Sequence, residues 1–329
     1  MEANELTAEC GEPMWEPLDL RAGDYSARLS ITGGGLAGLW WCGQRLVVDY
    51  PLTQVRPAFR GVVLAPWPNR LVDGRWRWRG QDFQLALTEP DRSHALHGLV
   101  VWDRFQVRHH SAAAATLTTT ITAQDGYPFT VEVTTEYVLD AETGLHWQVR
   151  ATAVTGPAPV GLGLHPYLVA GEGGVDDWEL HAPLPYVQDH HGPRLLPGQL
   201  HPVSSDRDFT AGFTPLQGVS VDHAFYQPDT PTVIRLRRAG AGDSGMAGVE
   251  LATSAPWVQI YTGDLADPAL PEHRVGVAVE PQTCAPNAFN YLPDDGAASA
   301  EQRPGAAHIL AAGDSLECEC TIRLITSNQ

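Results

Sequence analysis

The sequence contains no lysine. All 21 of its basic side chains are arginine, set against 39 aspartates and glutamates, for a formal net charge of −18. Phosphate backbones and anionic lipid repel such a chain, which argues against nucleic-acid or membrane partners. The same charge disfavours a strongly anionic substrate unless arginines gather locally, so a neutral ligand is expected. No apolar run approaches the roughly 20 residues needed to cross a bilayer. The opening stretch, MEANELTAECGEPMWEPLDL, lacks a basic segment followed by an apolar one, so no secretory signal is read there and a cytoplasmic location is expected. Cysteine pairs at the spacing of a disulfide scaffold or zinc cluster are missing as well. Cys10, Cys42, Cys284, Cys318 and Cys320 are odd in number and scattered, which argues against a disulfide scaffold or zinc cluster and for reduced thiols. Cys318 and Cys320 would share one face of a strand and pack in the core.

Helical periodicity is also absent, and what replaces it is a period of two. The segments 27–31, 45–50, 75–80, 116–123, 129–139, 145–154, 257–263, 274–280 and 316–325 alternate apolar with polar residues and are rich in Val, Thr, Tyr and Trp. Turn chemistry lies between them: TGGGLAG, VTGPAP, GEGGVDD and LPDDGA. The triple glycine at 33–35 has no following Lys-Ser/Thr, so it reads as a hairpin turn and not a phosphate loop. An all-β protein follows, a large antiparallel β-sandwich. With no repeat and no linker, residues 1–329 read as one domain with 1–23 as an N-terminal extension. The stretch 183–218, poor in strand signal and rich in proline, reads as an excursion that shapes a binding mouth.

Four short segments place polar groups where a β protein normally has apolar or turn residues. They are LAPWPNRLVDG with Asn69 and Arg70, SHALHGLV with His94 and His97, GLGLHPYL with His165, and VAVEPQTCAPNAFN with Glu280. His165 and Glu280 each close an apolar run and precede a proline, which predicts strand ends opening on a cleft. A carboxylate buried at such a place is costly and has a raised pKa, a common mark of function. His94 and His97 are three apart, a spacing that suits a metal only on a helix, and no metal site is expected.

The segments WPNRLVDGRW, ALHGLV, GLHPYL, DHAF at 222–225 and VEPQT, in this order, resemble the aldose 1-epimerase (galactose mutarotase) family, and its bacterial branch with an APWPNR motif in particular. The resemblance spans about residues 24 to 325. It implies the β-supersandwich fold and a cofactor-free, metal-free enzyme that interconverts the α and β anomers of a free, glucose- or galactose-like aldose. Carried over residue by residue, it implies Glu280 as general base on the C1 hydroxyl and His165 as general acid on the ring oxygen. Arg70, His97 and Asp222 are then implied ligands of the sugar hydroxyls, joined by Asn69. Aromatic faces stack on pyranoses, and Trp67 and Trp102 lie nearest the motifs, with Trp67 taken as a substrate contact. The expected partner is a small monosaccharide, bound by a monomer or homodimer.

Three other readings compete. A glycoside hydrolase would pair Glu280 with Asp222 as its two carboxylates. A non-catalytic sugar-binding protein would keep the fold without the reaction. A mutarotase for a phosphorylated or sulfonated sugar would need arginines beyond Arg70 at the site; Arg75, Arg77 and Arg79 sit at alternating positions expected to face solvent.

Overall fold

Alternation builds the strands. Along Val131–Asp140, the residues Val131, Val133, Thr135, Tyr137 and Leu139 are buried while Glu132, Glu136, Val138 and Asp140 face water. This strand pairs residue for residue with Gly144–Ala153, and Asp140 Oδ1 closes the hairpin by accepting the amides of Glu142 and Thr143 at 2.9 and 2.8 Å. The computed structural model describes residues 17–229, 231–240, 246–293 and 305–326, among which strands and short 3-10 turns form all the regular structure, without an α-helix. Two large antiparallel sheets of nine and eight strands dominate, with a four-stranded sheet formed by residues 18–45. This is the β-sandwich that the alternation predicts.

The two large sheets meet where the strand Ser315–Thr326 backs the strand Val277–Gln282; Cys318 Sγ lies 3.6 Å from the Pro281 carbonyl oxygen. Cys318 and Cys320 both point into this core, as their spacing predicts. Burial pushes the Cys284 thiol up to about 12 and those of Cys318 and Cys320 higher still, which keeps them protonated and unreactive. The described cysteines are free thiols, and Cys10 lies outside the described residues.

The strands depart from the sequence reading at several points. Among the described residues, pairing begins with Leu18 opposite Leu29, inside the stretch 1–23 expected to be an extension; residues 1–16 lie outside the described residues. Of the segment 45–50 only Arg45 joins a strand, Gln44–Arg45. Leu46, Val47 and Val48 are core residues whose chain makes one bridge, Val47 to Leu168, so their apolar run reports burial and not pairing. The stretch 183–218 instead contains a hairpin, Tyr186–His191 with Leu196–Pro202, at one edge of the eight-stranded sheet. An edge strand tolerates the prolines that hid it, because an absent N–H on the outer side costs no ladder bond. The triple glycine does form a turn, between Tyr25–Ser30 and Gly35–Trp41. The turn expected at LPDDGA runs beyond the described residues.

Candidate active site

The eight-stranded sheet supplies the floor of the site. Its register sets Asp222 opposite Tyr261, Gln259 opposite Glu280, Tyr261 opposite Ala278 and Tyr167 opposite Ala278. Directly paired residues project from the same side, so Asp222, Gln259, Tyr261, Glu280 and Tyr167 share one face. That face lies under a cavity of about 410 Å³, whose walls bring in Asn69, Arg70, His97, His165, Phe59, Arg92, His190 and Leu195. The last two come from the edge hairpin, which does shape the mouth.

Glu280 does not end its strand, contrary to the sequence reading. The strand continues through Pro281 to Gln282. Val279 and Thr283 donate to the carbonyls of Pro166 (3.1 Å) and Leu162 (2.9 Å). The missing amide of Pro281, between them, therefore faces the point where the neighbouring chain kinks and offers no regular partner. The kink is at His165, which does interrupt pairing between Gly163–Leu164 and Tyr167–Leu168.

One turn braces His165. Its N–H donates to Val62 O at 3.1 Å, and its carbonyl accepts the Gly61 N–H at 2.7 Å. Nearby, the Phe59 ring centroid lies 4.9 Å from that of His97. Tyr167 stacks on His165 at 5.3 Å, and Arg60 lies over Tyr167. Ala58 and Phe59 hold φ of +47° and +55°, a conformation that costs side-chain-bearing residues of order 1–3 kcal/mol each. Arg56 offsets this by donating to the Tyr50 hydroxyl and Val101 O, both at 3.0 Å, and to Thr32 O. Gly61, at φ +68°, passes so close to Leu36 that a Cβ would strike its carbonyl oxygen. Gly61→Ala is accordingly expected to cost about 3 kcal/mol or more, from the left-handed backbone and the overlap together. Urea unfolding measures this, and a loss below about 1 kcal/mol would show that the turn yields.

His165 Nε2 lies 3.3 Å from Glu280 Oε1, with the two side chains only 4% and 3% exposed. Gln282 Nε2 donates to Glu280 Oε2 at 3.0 Å. Burial raises Glu280 well above the usual carboxylate range, helped by the charge of Asp222, and burial lowers His165 to about 3. These shifts together favour an uncharged pair sharing one transferable proton. Asn69 donates its backbone N–H to His97 Nδ1 at 3.2 Å, which assigns the His97 proton to Nε2. Burial, then His165 and Arg70, hold His97 well below the usual imidazole range and hence neutral. Gln259 ties the polar wall together: its Nε2 donates to Asp222 Oδ1 at 2.6 Å and its Oε1 accepts from Asn69 Nδ2 at 3.0 Å. Arg70 forks onto Glu89 at 2.8 and 3.2 Å, with Nη1 3.8 Å from Asp222 Oδ2.

His97, His165 and Glu280 also each bring a donor atom within 4.8 Å of the others, a set that can hold a divalent metal. His94 takes no part, because its Nε2 meets Arg194 O at 2.7 Å.

Glu280, His165, Arg70, His97, Asp222 and Asn69 all reach the cavity. Trp67 does not. It is buried in the core, with Nε1 directed at Ala95 O (3.3 Å) and its ring edge-on to Phe289, because a large apolar ring beside the motif was recruited for packing. Trp102, half exposed, packs against the outer side of Phe59 and lines no part of this cavity. Arg75 and Arg77 face solvent, as their alternation predicts. Gln259, Phe59, Tyr167, Arg92 and His190 were missed. Only Gln259 carries a local signal, a buried amide inside the apolar strand Trp257–Tyr261.

The aldose 1-epimerase family model matches residues 18–308. The Escherichia coli K12 protein YihR, itself uncharacterized, is 34% identical over 279 residues, covering 84% of this chain and 86% of YihR. The fold resembles that of the GalM/aldose epimerase homologue of C. elegans (TM-score 0.78, 19% identity, 94% of this chain and 99% of that one). It also resembles galactose 1-epimerase from Lactobacillus acidophilus NCFM (TM-score 0.72, 17% identity, 93% and 92%). Match length and identity both clear what shared ancestry requires, and the chain belongs to the aldose 1-epimerase family, as an isomerase of the epimerase type.

Proposed function

We propose that this protein is a mutarotase, interconverting the α and β anomers of a free glucose- or galactose-like aldose by acid–base ring opening. One observation carries the reading: a buried imidazole and a buried carboxyl, 3.3 Å apart, on the wall of a sugar-sized cavity. With the shared proton passed across the contact from Glu280 to His165, Glu280 takes the proton from the C1 hydroxyl, C1=O forms, and the C1–O5 bond breaks as O5 takes the proton of His165. The aldehyde turns about C1–C2. Attack of O5 on the other face then returns one proton to His165 while Glu280 reprotonates the C1 oxygen. The cycle conserves the single shared proton and calls for neither metal nor organic cofactor. In this scheme His97 Nε2–H polarises the ring oxygen, while Asp222, Arg70 and Asn69 hold hydroxyls by hydrogen bonds. The partner of Glu280 is an imidazole in contact with it, which suits proton exchange at one carbon better than the two flanking carboxylates of a hydrolase. Sugar binding alone would gain nothing from burying two proton-transfer groups. We place this activity in a cytoplasm, in a monomer or homodimer.

Polarimetry and NMR exchange on freshly dissolved α-D-glucose, α-D-galactose and a panel of further aldoses test the reading. It falls if the protein speeds equilibration of none of them, or if it releases reducing sugar from oligosaccharides instead. A second reading, an aldose bearing a phosphate or sulfonate, is favoured by Arg92, a second arginine on the cavity wall. Glu89 pairs with both Arg92 and Arg70, which argues for the neutral sugar. Arg92→Gln decides between them: it raises KM selectively for an anionic aldose if the second reading is right and leaves a neutral one near wild type.

A further inference from the structure

Resting on the mutarotase reading and going one step beyond it, we propose that Phe59 is the platform on which the C–H face of the pyranose packs. The cavity is rich in polar groups, yet a pyranose ring has apolar faces that hydroxyl ligands cannot recognise. Three aromatic carbocycles line the cavity among the described residues. Tyr167 is buried, stacked on His165 and in contact with the Arg60 guanidinium. Tyr261 spends its hydroxyl on Asp264 O at 2.7 Å and meets Tyr167 edge-on. Phe59 alone has no polar tip, is half-buried, and packs on the buried cluster of Val62, Leu64 and Val101 while still lining the cavity.

Its placement is specific. The Phe59 ring lies 4.9 Å from His97, whose ring lies 5.0 Å from that of His165, so the platform borders the reacting end of the cavity. Trp102 stands behind it at 6.1 Å and is itself capped by Arg56 at 5.5 Å. Two successive left-handed residues, Ala58 and Phe59, present the ring in this position, and Arg56 anchors the turn that carries them. Strain of this kind persists where surrounding contacts over-determine it, and such sites cluster at ligand clamps. Aromatic faces suit this task, because a flat apolar ring matches a row of axial C–H groups and excludes water from both.

Phe59→Leu and Phe59→Tyr test the proposal against the alternative that Phe59 merely positions His97. Leucine keeps the apolar volume beside His97 but removes the flat face. It is expected to raise KM for the aldose about fivefold with kcat within about twofold and an unshifted pH profile. Tyrosine keeps the face and is expected to stay near wild-type KM. In saturation-transfer NMR, the sugar C–H protons of one face should receive saturation from the wild-type aromatic protons and lose most of it in Phe59→Leu. An unchanged KM in Phe59→Leu, or a fall in kcat with a shifted pH profile at constant KM, overturns the proposal. Failure of the wild type to interconvert any anomers refutes the mutarotase reading instead, and the NMR contact pattern then still decides whether Phe59 faces the bound sugar.

Discussion

Glu280→Gln is expected to slow anomer interconversion by about 10³-fold or more while leaving the protein folded and, above neutral pH, more stable than the parent. The amide fills the same space and retains a contact with Gln282, but it cannot accept and return a proton, and general acid–base groups typically contribute ~10²–10⁴-fold. The stability gain follows from linkage. Burial and Asp222 raise the Glu280 pKa in the folded state. Below the ordinary carboxylate pKa both folded and unfolded chains hold the proton and the group is neutral in its effect. As pH rises through the folded pKa, the unfolded chain has already released its proton at lower pH, so wild-type stability drains away. Glutamine removes that loss. Urea unfolding at pH 5 and pH 9, beside the polarimetric rate, tests both halves. Full activity in Glu280→Gln would reassign the base, and equal stability of the two proteins at pH 9 would mean the carboxylate is solvated.

The second large effect has the opposite sign in pH. His165, held at about 3 against an ordinary 6.5, is bound to fewer protons in the folded than in the unfolded chain across that interval. The stability it permits is fully present above pH 6.5 and falls as pH drops toward 3. At pH 4.5, two units below the free value, the deficit is about 3 kcal/mol at 1.36 kcal/mol per unit. His165→Asn should therefore lose much less stability than wild type between pH 7 and pH 4.5, by roughly that amount, although it is catalytically crippled. His97, lowered for the same reason, keeps part of the acid sensitivity in the variant. The wild-type rate should correspondingly persist to pH values well below the ordinary imidazole range, because the pair gains its second, inactivating proton only there. Parallel acid losses in wild type and His165→Asn, or a rate that collapses near pH 6.5, would show that the imidazole is accessible to water.

Much of this was legible in the chain because period two and motif residues are local signals. The strand Val131–Asp140 announces itself by alternation, and Glu280 and His165 stand out as ionisable groups in apolar runs. What escaped was set by distant partners. Trp67 and Phe59 are both aromatic residues near motifs, and only packing against Phe289 in one case and exposure to the cavity in the other separates them. Pro281 looked like a strand terminator because its neighbour's kink, more than a hundred residues away, is invisible in its own segment. His190 and Leu195 reach the site through an edge hairpin whose prolines mask its extended backbone.

That hairpin divides labour within the cavity. The proposed proton-transfer groups are fixed by an inner strand and the 56–61 turn, whereas the edge hairpin contributes its wall from the sheet's last two strands. Changes at its tip can redraw the outline that a sugar must fit without moving Glu280 or His165. Under the proposed mutarotase reading, new substrates are then reachable by exchanging a border segment while the acid–base pair stays unaltered.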